Sequence, residues 1–175
     1  MPIKLKGYAM NILDFAKKKE QFSIDLYTGL AGKTQNEGLK NIFMMLVEEE
    51  KKHYRIVSDM AKEIPAGLLD TPVLKNASSI FKKMQQGAGQ FIFPDSEIEL
   101  YEKAGHYEKE SRDFYLQKAS ETTDALQKQV FKRLAAEEQK HFVLLDNICD
   151  FVSRPLSYLE DAQFVHLENY TEEPF

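Results

Sequence analysis

A Glu-x-x-His step occurs twice in the chain, and the two copies are 88 residues apart. The first runs from Glu50 to His53 and the second from Glu138 to His141. Residues three apart in a helix lie on one face, so each acid and its imidazole can reach the same metal ion. A single copy is more often a solvated helix surface, and the duplication is therefore the informative feature.

The surroundings of the two steps repeat with the same shift of 88 positions. An acid stands thirty residues before each Glu-x-x-His glutamate, Glu20 in the first half and Glu108 in the second. Other identical positions are Ser23, Asp25, Tyr27, Ala31, Phe43 and Leu46, which correspond to Ser111, Asp113, Tyr115, Ala119, Phe131 and Leu134. The chain therefore consists of two related halves, each with two glutamates and one histidine as candidate metal ligands.

Length and composition describe one folded domain and exclude several classes of function. A chain of 175 residues, 43% hydrophobic and 29% charged, is typical of a globular protein with a substantial core. A net charge of −5, with no run of Lys or Arg long enough to supply a basic patch, argues against a nucleic-acid partner. Apolar runs are far shorter than the roughly 20 residues of a membrane-spanning helix, and the first residues contain no signal-peptide core. The single cysteine, Cys149, excludes an internal disulfide, so the sequence predicts a cytoplasmic protein.

Helical periodicity predicts four long helices, and each has a recognisable start signal. The sequence indicates that the first helix ends near Lys33 and the second near Lys62. The fourth ends near Ser153, before Pro155. The predicted start signals are Asn11 with Asp14 for the first helix, Asn36 for the second, the capping-box pair Ser96 and Glu99 for the third, and Asp124 for the fourth.

The spacing of the candidate ligands predicts two antiparallel helical hairpins. Glu20 and Glu50 lie about 15 residues on either side of the turn at residues 34–36, hence about 22 Å along their helices. They therefore meet at one level, and the second half repeats this arrangement. Two such hairpins packed face to face form an all-α four-helix bundle with six ligand-capable side chains at mid-height.

The remaining segments predict a connection and an extension of the bundle. Residues 64–95 contain Pro65, Gly67 and Gly89 among other helix breakers, and predict a long crossover with a short helix over Val73–Gln85. The tail after Pro155 predicts another short helix around residues 158–167. We expect residues 1–155 to form the bundle and residues 156–175 to pack on it or on a partner subunit.

Four glutamates directed into an apolar bundle need neutralising partners, because each unpaired buried ion costs several kcal/mol. Two divalent metal ions would balance four carboxylates, and two neutral imidazoles would complete the coordination. An oxygen-rich site with one nitrogen per metal suits iron or manganese better than zinc. In this arrangement Glu20 and Glu108 would each be terminal ligands, Glu50 and Glu138 would bridge the pair of metal ions, and each histidine would complete the coordination of its own metal ion.

Two tyrosines follow the first glutamate of each half by seven residues. Tyr27 and Tyr115 lie on the same helix faces as Glu20 and Glu108. A buried phenol needs a hydrogen-bond partner, which a metal-ligating carboxylate offers, so the tyrosines are candidates for positioning the ligands. The alternative interpretation, that both are ordinary core aromatic residues, stays open at the level of sequence.

These residues together resemble the ferritin-like di-iron carboxylate proteins, and among them the rubrerythrins. The segments EQFSIDLYTGLA and EKESRDFYLQKA are similar to the first and third helices of rubrerythrins, and EEEKKHY and AAEEQKHF to the second and fourth. The resemblance covers about residues 8–153 and implies a ferritin-like bundle with two iron ions. Carried over by position, the implied ligands are Glu20, Glu50, His53, Glu108, Glu138 and His141.

Two features depart from the rubrerythrin pattern. Rubrerythrins commonly carry an additional ligand glutamate three residues after the glutamate of the third helix, and here that position is Ser111. We interpret Ser111 as leaving room, or a hydroxyl donor, near the substrate. Rubrerythrins also commonly carry a rubredoxin domain with four cysteines, whereas this sequence contains Cys149 alone. We therefore expect a separate donor protein to supply the electrons. The family resemblance also implies a homodimer.

The predicted function is that of an oxidoreductase whose two iron ions reduce peroxide or dioxygen. A second hypothesis is a ferroxidase that feeds iron into a storage compartment, which the sequence alone does not distinguish from the first. A third is a metal-free helical interaction module, in which the glutamates pair with the basic groups of a partner. A duplicated salt-bridged helix surface without a site would also preserve the repeated glutamates and histidines.

Overall fold

The computed structural model describes residues 3–63, 70–87, 91–172 and 175, and every regular element within them is helical. The all-α prediction is confirmed. No helix in these ranges is long and apolar enough to cross a membrane. The elements are α1 (Ile3–Lys33), α2 (Glu37–Ala61), α3 (Val73–Gln86), α4 (Asp95–Glu121), α5 (Ala125–Ser153), α6 (Pro155–Glu160) and a 3₁₀ helix (Gln163–Asn169).

Two helical hairpins, α1 with α2 and α4 with α5, form the four-helix bundle that the sequence predicted. The turns of the two hairpins carry the same hydrogen bonds. Asn36 accepts from the backbone N–H of Leu39 at 2.9 Å, and Asp124 accepts from that of Gln127 at 2.9 Å. Both residues therefore cap their helices as predicted, and the internal repeat extends to the turns.

Two predicted helix starts are wrong. Helix α1 begins at Ile3, so Asn11 lies inside the helix instead of capping it. A capping residue satisfies a free N–H but does not stop a helix that the preceding residues can extend. Helix α4 begins at Asp95 behind Pro94, whose fixed φ suits a helix start, and the predicted cap Ser96 lies within the first turn.

The crossover contains the predicted short helix, α3, which ends one residue later than expected. Residues 64–69 and 88–90, and with them Pro65, Gly67 and Gly89, lie outside the described residues. Helix α3 packs against α2, α5 and the 3₁₀ helix. Its Phe81 ring lies 5.4 Å from Phe151 of α5, so the crossover covers one end of the bundle.

The single tail helix predicted around residues 158–167 is instead two short helices. Helix α6 ends at Glu160, and the 3₁₀ helix begins at Gln163. Ala162, between them, has a left-handed backbone with a φ of 49°, which interrupts a right-handed helix. Both short helices pack on α3, where Tyr158 and Phe164 surround the Phe81 ring at 5.2 and 6.1 Å.

The apolar core is divided into two clusters, and the candidate ligands lie between them. One cluster contains Tyr27 and Phe43 and extends to the crossover and the tail. The other contains Tyr115 and Phe131 and fills the opposite half of the bundle. A polar layer is thus enclosed by apolar layers above and below, which excludes water from it.

We predict that replacing either helix cap destabilises the bundle. Asn36→Ala and Asp124→Ala each remove the acceptor for a backbone N–H and should lower the free energy of unfolding by about 1 kcal/mol. Urea denaturation followed by circular dichroism measures the change. Ser96→Ala is the control, since Ser96 caps nothing and its replacement should have an effect below about 0.5 kcal/mol. Equal losses in all three variants would contradict the assigned caps.

Candidate metal centre

Each of the four long helices contributes to a cluster of acids and imidazoles at mid-height of the bundle. Helices α2 and α5 each carry a Glu-x-x-His step, and the three-residue spacing directs both of its side chains inward. One ligand atom from each of Glu50, His53, Glu138 and His141 lies within 4.8 Å of the others. The four-residue cluster could hold a metal ion.

The two central glutamates each contact both imidazoles. Nδ1 of His53 lies 3.2 Å from Glu50 and 3.3 Å from Glu138. Nδ1 of His141 lies 2.9 Å from Glu50 and 3.2 Å from Glu138. The imidazole rings stack with centroids 5.3 Å apart and an interplanar angle of 11°. The cluster therefore has the approximate two-fold symmetry of the sequence repeat.

The two outer glutamates each approach one imidazole. Glu20 of α1 lies 3.6 Å from Nδ1 of His53, and Glu108 of α4 lies 3.8 Å from Nδ1 of His141. The structure thus brings all six predicted ligand side chains to one place, with two carboxylates shared between the imidazoles and one carboxylate on each side.

The chemistry of these donor atoms fits divalent metal ions. All six residues are at most 1% exposed. Within the described chain, one carboxylate oxygen of each of the four glutamates, and Nε2 of both histidines, are buried without a hydrogen bond. Buried acceptors without hydrogen bonds are costly, and metal ligation would satisfy the carboxylate oxygens. Two divalent cations would also balance the four carboxylates.

The outer glutamates hold their protons when no metal is bound. Burial, reinforced by the charge of Glu138, raises the pKa of Glu20 to about 8. Burial, reinforced by the charges of Glu50 and Glu138, raises the pKa of Glu108 well above its usual value. Both carboxyl groups are therefore poised to release a proton when a cation arrives.

The central groups form ion pairs instead. Burial acts to lower the pKa of both histidines, but the surrounding carboxylates outweigh it, and the pKa of His53 and of His141 lies well above 6.5. Burial likewise acts to raise the pKa of Glu50 and Glu138, but the two imidazoles hold the pKa of both below its usual value. Metal binding must therefore displace protons from the imidazoles as well.

Two tyrosines join the hairpins through crossed hydrogen bonds. The hydroxyl of Tyr27 in α1 donates to Glu108 in α4, and that of Tyr115 in α4 donates to Glu20 in α1. Burial and the neighbouring carboxylates raise the pKa of both phenols, so they remain donors. Each tyrosine thus orients the outer glutamate of the other half, which the sequence repeat did not indicate.

Ser111 lies on the α4 face between Glu108 and Tyr115, one turn from each. Its side chain is buried, and its hydroxyl has no hydrogen-bond partner within the described residues. The location agrees with the space or hydroxyl donor expected from the sequence. Its role towards a substrate stays a prediction.

A second polar network beside the cluster was missed by the sequence analysis. Lys140, next to His141 in α5, is directed away from the cluster but is nevertheless buried. Its Nζ contacts Glu137 at 3.0 Å and Glu172 of the tail at 2.8 Å. The repeat indicated this network, because Glu49 and Lys52 of α2 correspond to Glu137 and Lys140 and also form an ion pair, at 2.8 Å.

Comparison with known families identifies the chain. A family model described as Rubrerythrin matches residues 11–149. The chain belongs to the rubrerythrin family. Comparisons with curated proteins and with solved structures gave no significant match. Membership of the rubrerythrin family, together with the buried glutamate and histidine cluster, indicates a site of the di-iron type on a ferritin-like bundle and an oxidoreductase activity.

We predict that the metal-free protein loses stability as the pH rises from about 5 to about 8. Glu20 keeps its proton to about pH 8 in the folded state but loses it near pH 4.3 when unfolded. His53 and His141 likewise stay protonated in the folded state above about pH 6.5, where the unfolded chain releases those protons. The unfolded state binds fewer protons in this window, so the free energy of unfolding must fall as pH rises.

Urea denaturation of metal-free protein at a series of pH values measures this dependence. Glu20→Gln is the matched control, because it removes one of the titrating groups and should make the decline shallower. A free energy of unfolding that is constant or rises across the window would contradict the protonation states assigned to the cluster.

Proposed function

We propose that this member of the rubrerythrin family is a di-iron oxidoreductase that reduces peroxide or dioxygen with electrons from a separate donor protein. The observation that carries the proposal is the two-fold symmetric cluster of four carboxylates and two imidazoles in a dry layer of the bundle. The oxygen-rich donor set favours iron, with manganese as the alternative metal.

The proposed ligand set follows from the contacts. The central carboxylates, which touch both imidazoles, and the outer carboxylates, which each approach one imidazole, would together hold two metal ions. When bound, two iron ions would supply the electrons that peroxide or dioxygen requires. The proposed ligands are Glu20, Glu50, His53, Glu108, Glu138 and His141.

The residues around the cluster would prepare it for this chemistry. Tyr27 and Tyr115 hold the outer glutamates by hydrogen bonds, so these carboxylates keep their direction when their charge changes. Ser111 would provide room, or a hydroxyl donor, for the substrate. The apolar layers on both sides exclude water, which strengthens the electrostatic interactions among the buried groups.

A second candidate function is ferroxidase activity. Ser111 stands where rubrerythrins commonly have the additional ligand glutamate that the family associates with peroxide reduction. This substitution favours a site that oxidises iron with dioxygen. Size-exclusion chromatography separates the two, since a large shell supports iron storage and a dimer supports the oxidoreductase.

The proposal also includes the oligomeric state, the cellular location and the electron donor of the protein. We expect a homodimer in the cytoplasm, which follows from the family resemblance and the composition. The sequence contains one cysteine, Cys149, and thus not the four that a rubredoxin iron site requires. We propose that a separate donor protein supplies the electrons.

We predict that the central glutamates are needed for metal content. Glu50→Gln and Glu138→Gln each remove a ligand charge shared by both imidazoles. Reconstituted anaerobically with ferrous iron, the unchanged protein should bind about two ions per chain and each variant about one or none. Glu48→Gln and Glu110→Gln, at exposed positions on α2 and α4, are matched controls and should bind the normal amount. Full metal content in the central variants would contradict the ligand assignment.

The same reconstituted protein tests the reaction. Its ultraviolet-visible spectrum is followed as peroxide is added to the reduced form, and separately as dioxygen is admitted. Rapid oxidation by peroxide supports the peroxidase, and oxidation by dioxygen alone supports the ferroxidase. Protein that binds no metal would overturn both and favour the helical interaction module.

We also predict that the crossed tyrosines tighten metal binding. Tyr27→Phe and Tyr115→Phe keep the ring but remove the hydrogen bond to an outer glutamate. Each variant should bind ferrous iron about 10-fold to 100-fold more weakly, because a ligand held by its neighbours loses that support. Competition with a metal chelator measures the affinity. Tyr54→Phe, at a partly exposed position on α2, is the control, and equal affinities in all variants would contradict the positioning role.

A further inference from the structure

Two aromatic pairs lie on the outer surface of α1 and α4. Phe15 packs on Phe114 with ring centroids 5.3 Å apart, and Phe22 packs on Tyr107 at 4.6 Å. Phe15 and Phe22 are nevertheless 53% and 52% exposed. Their spacing of seven residues places them about 10 Å apart along α1. We call these four side chains the aromatic face.

Lysine side chains give the aromatic face a positive charge. Nζ of Lys19 lies 4.5 Å from the ring centroid of Tyr107 and 5.7 Å from that of Phe114, so it sits between the two pairs. Lys118 approaches the Phe114 ring at 5.8 Å. Lys19 also ends a run of three consecutive lysines in α1, in a protein whose net charge is −5. Lys118 also pairs with Glu121 at 2.7 Å and Lys17 with Asp14 at 3.0 Å. The positive charge of the face that no ion pair among the described residues balances is therefore that of Lys19 and its exposed neighbour Lys18, on a predominantly acidic molecule.

The aromatic face is also adjacent to the candidate metal centre. The Phe114 ring lies 5.2 Å from that of Tyr115, whose hydroxyl donates to Glu20. The hydroxyl of Tyr107 donates at 3.2 Å to the backbone oxygen of Lys19, the residue before Glu20. A molecule resting on the face would thus be separated from a ligand carboxylate by two aromatic side chains.

The burial of the cluster makes such a surface necessary for the proposed reaction. The six residues are at most 1% exposed, so a protein donor has no direct contact with their carboxylates and imidazoles. Electrons must cross the side chains between the surface and the cluster, and transfer weakens steeply with distance. The aromatic face is connected to the cluster by a short chain of contacting side chains, so electron transfer from a donor bound at this face is favoured.

We infer that the aromatic face is the docking surface for an acidic protein that donates one electron at a time. The inference rests on the proposed function and adds the location and the charge of the donor's contact surface. The lysines would steer an acidic partner to the face, and the exposed phenylalanines would supply apolar contact. Electron-transfer complexes are typically small, below about 1,200 Å² of buried surface, which suits a strip of this length.

The same charges disfavour a second copy of this chain as the occupant. A two-fold symmetric interface places the same patch on both subunits. The lysines of both copies would then border one apolar contact, at a cost in like-charge repulsion. An acidic donor, by contrast, pairs with them.

The electron balance of the proposal is simple. Each encounter would oxidise the donor by one electron, and the metal ions held by the cluster would be the acceptor. Two encounters deliver two electrons, and with two protons from solvent they reduce one peroxide to two waters. The donor leaves after each transfer, so a weak complex suits the reaction.

A small acidic rubredoxin is a suitable one-electron probe. We expect it to bind the iron-loaded protein in isothermal titration calorimetry, and the affinity should fall as ionic strength rises above about 0.1 M. Lys18→Glu combined with Lys19→Glu should weaken binding about tenfold or more. Lys40→Glu combined with Lys128→Glu carries the same charge change on exposed positions of α2 and α5, and should alter the affinity less than twofold.

A second double variant, with its own control, tests the apolar part of the aromatic face. Phe15→Ala combined with Phe22→Ala should weaken rubredoxin binding about tenfold. Leu126→Ala combined with Leu156→Ala removes side chains that are 60% and 59% exposed at other positions, and should leave it unchanged. In the face variants, the rate at which reduced rubredoxin is oxidised should fall by the same factor as the affinity. Their iron content, and the oxidation of their chemically reduced iron by peroxide, should be normal.

Three results would overturn the inference. They are absence of rubredoxin binding, equal weakening by the face and control variants, and a change from dimer to monomer in the face variants with rubredoxin affinity unchanged. The last result would identify the face as a subunit interface. Failure of the proposed function is distinguishable, because chemically reduced unchanged protein would then not react with peroxide, whether or not rubredoxin binds.

Discussion

The burial of four carboxylates and two imidazoles in one layer is the constraint on which the rest of this bundle depends. Without metal, the layer is tolerable only because protons and ion pairs reduce its charge. The two central glutamates pair with protonated histidines, and the outer glutamates, Glu20 and Glu108, retain protons. Metal ions bound there would replace these protons, and their binding would then also increase the stability of the fold.

Symmetry explains how a chain of this length builds such a layer. One hairpin supplies half of the ligands, and duplication supplies the other half at the same height. The two halves are not independent, because Tyr27 and Tyr115 each reach across to the glutamate of the opposite half. Two apolar clusters enclose the layer, and α3 and the tail extend one of them around Phe81. The protein thus protects its polar centre from water while leaving an aromatic, basic strip on α1 and α4 close to it.

The differences between the halves show where function departs from symmetry. Lys140 of α5 pairs with both Glu137 and the tail residue Glu172. The equivalent lysine of α2, Lys52, pairs with Glu49 but is much less buried. Phe15 and Phe22 of α1 correspond in the repeat to Lys103 and Glu110 of α4, so the exposed phenylalanines of the aromatic face come from one half only. A symmetric centre is therefore set in an asymmetric surface.

The sequence by itself determined the helical class, the two hairpins, the caps at Asn36 and Asp124, and the six residues that meet at mid-height. These features follow from helical periodicity, capping and ligand spacing, which are local patterns that the repeat shows twice. It misplaced the start of α1, since a capping residue such as Asn11 does not end a helix that its neighbours extend. Only the tertiary structure decided which tyrosine serves which glutamate, that Lys140 is buried, and that the aromatic face lies beside Glu20. These features depend on contacts between helices distant in sequence, whose relative rotation is set by packing of the whole core.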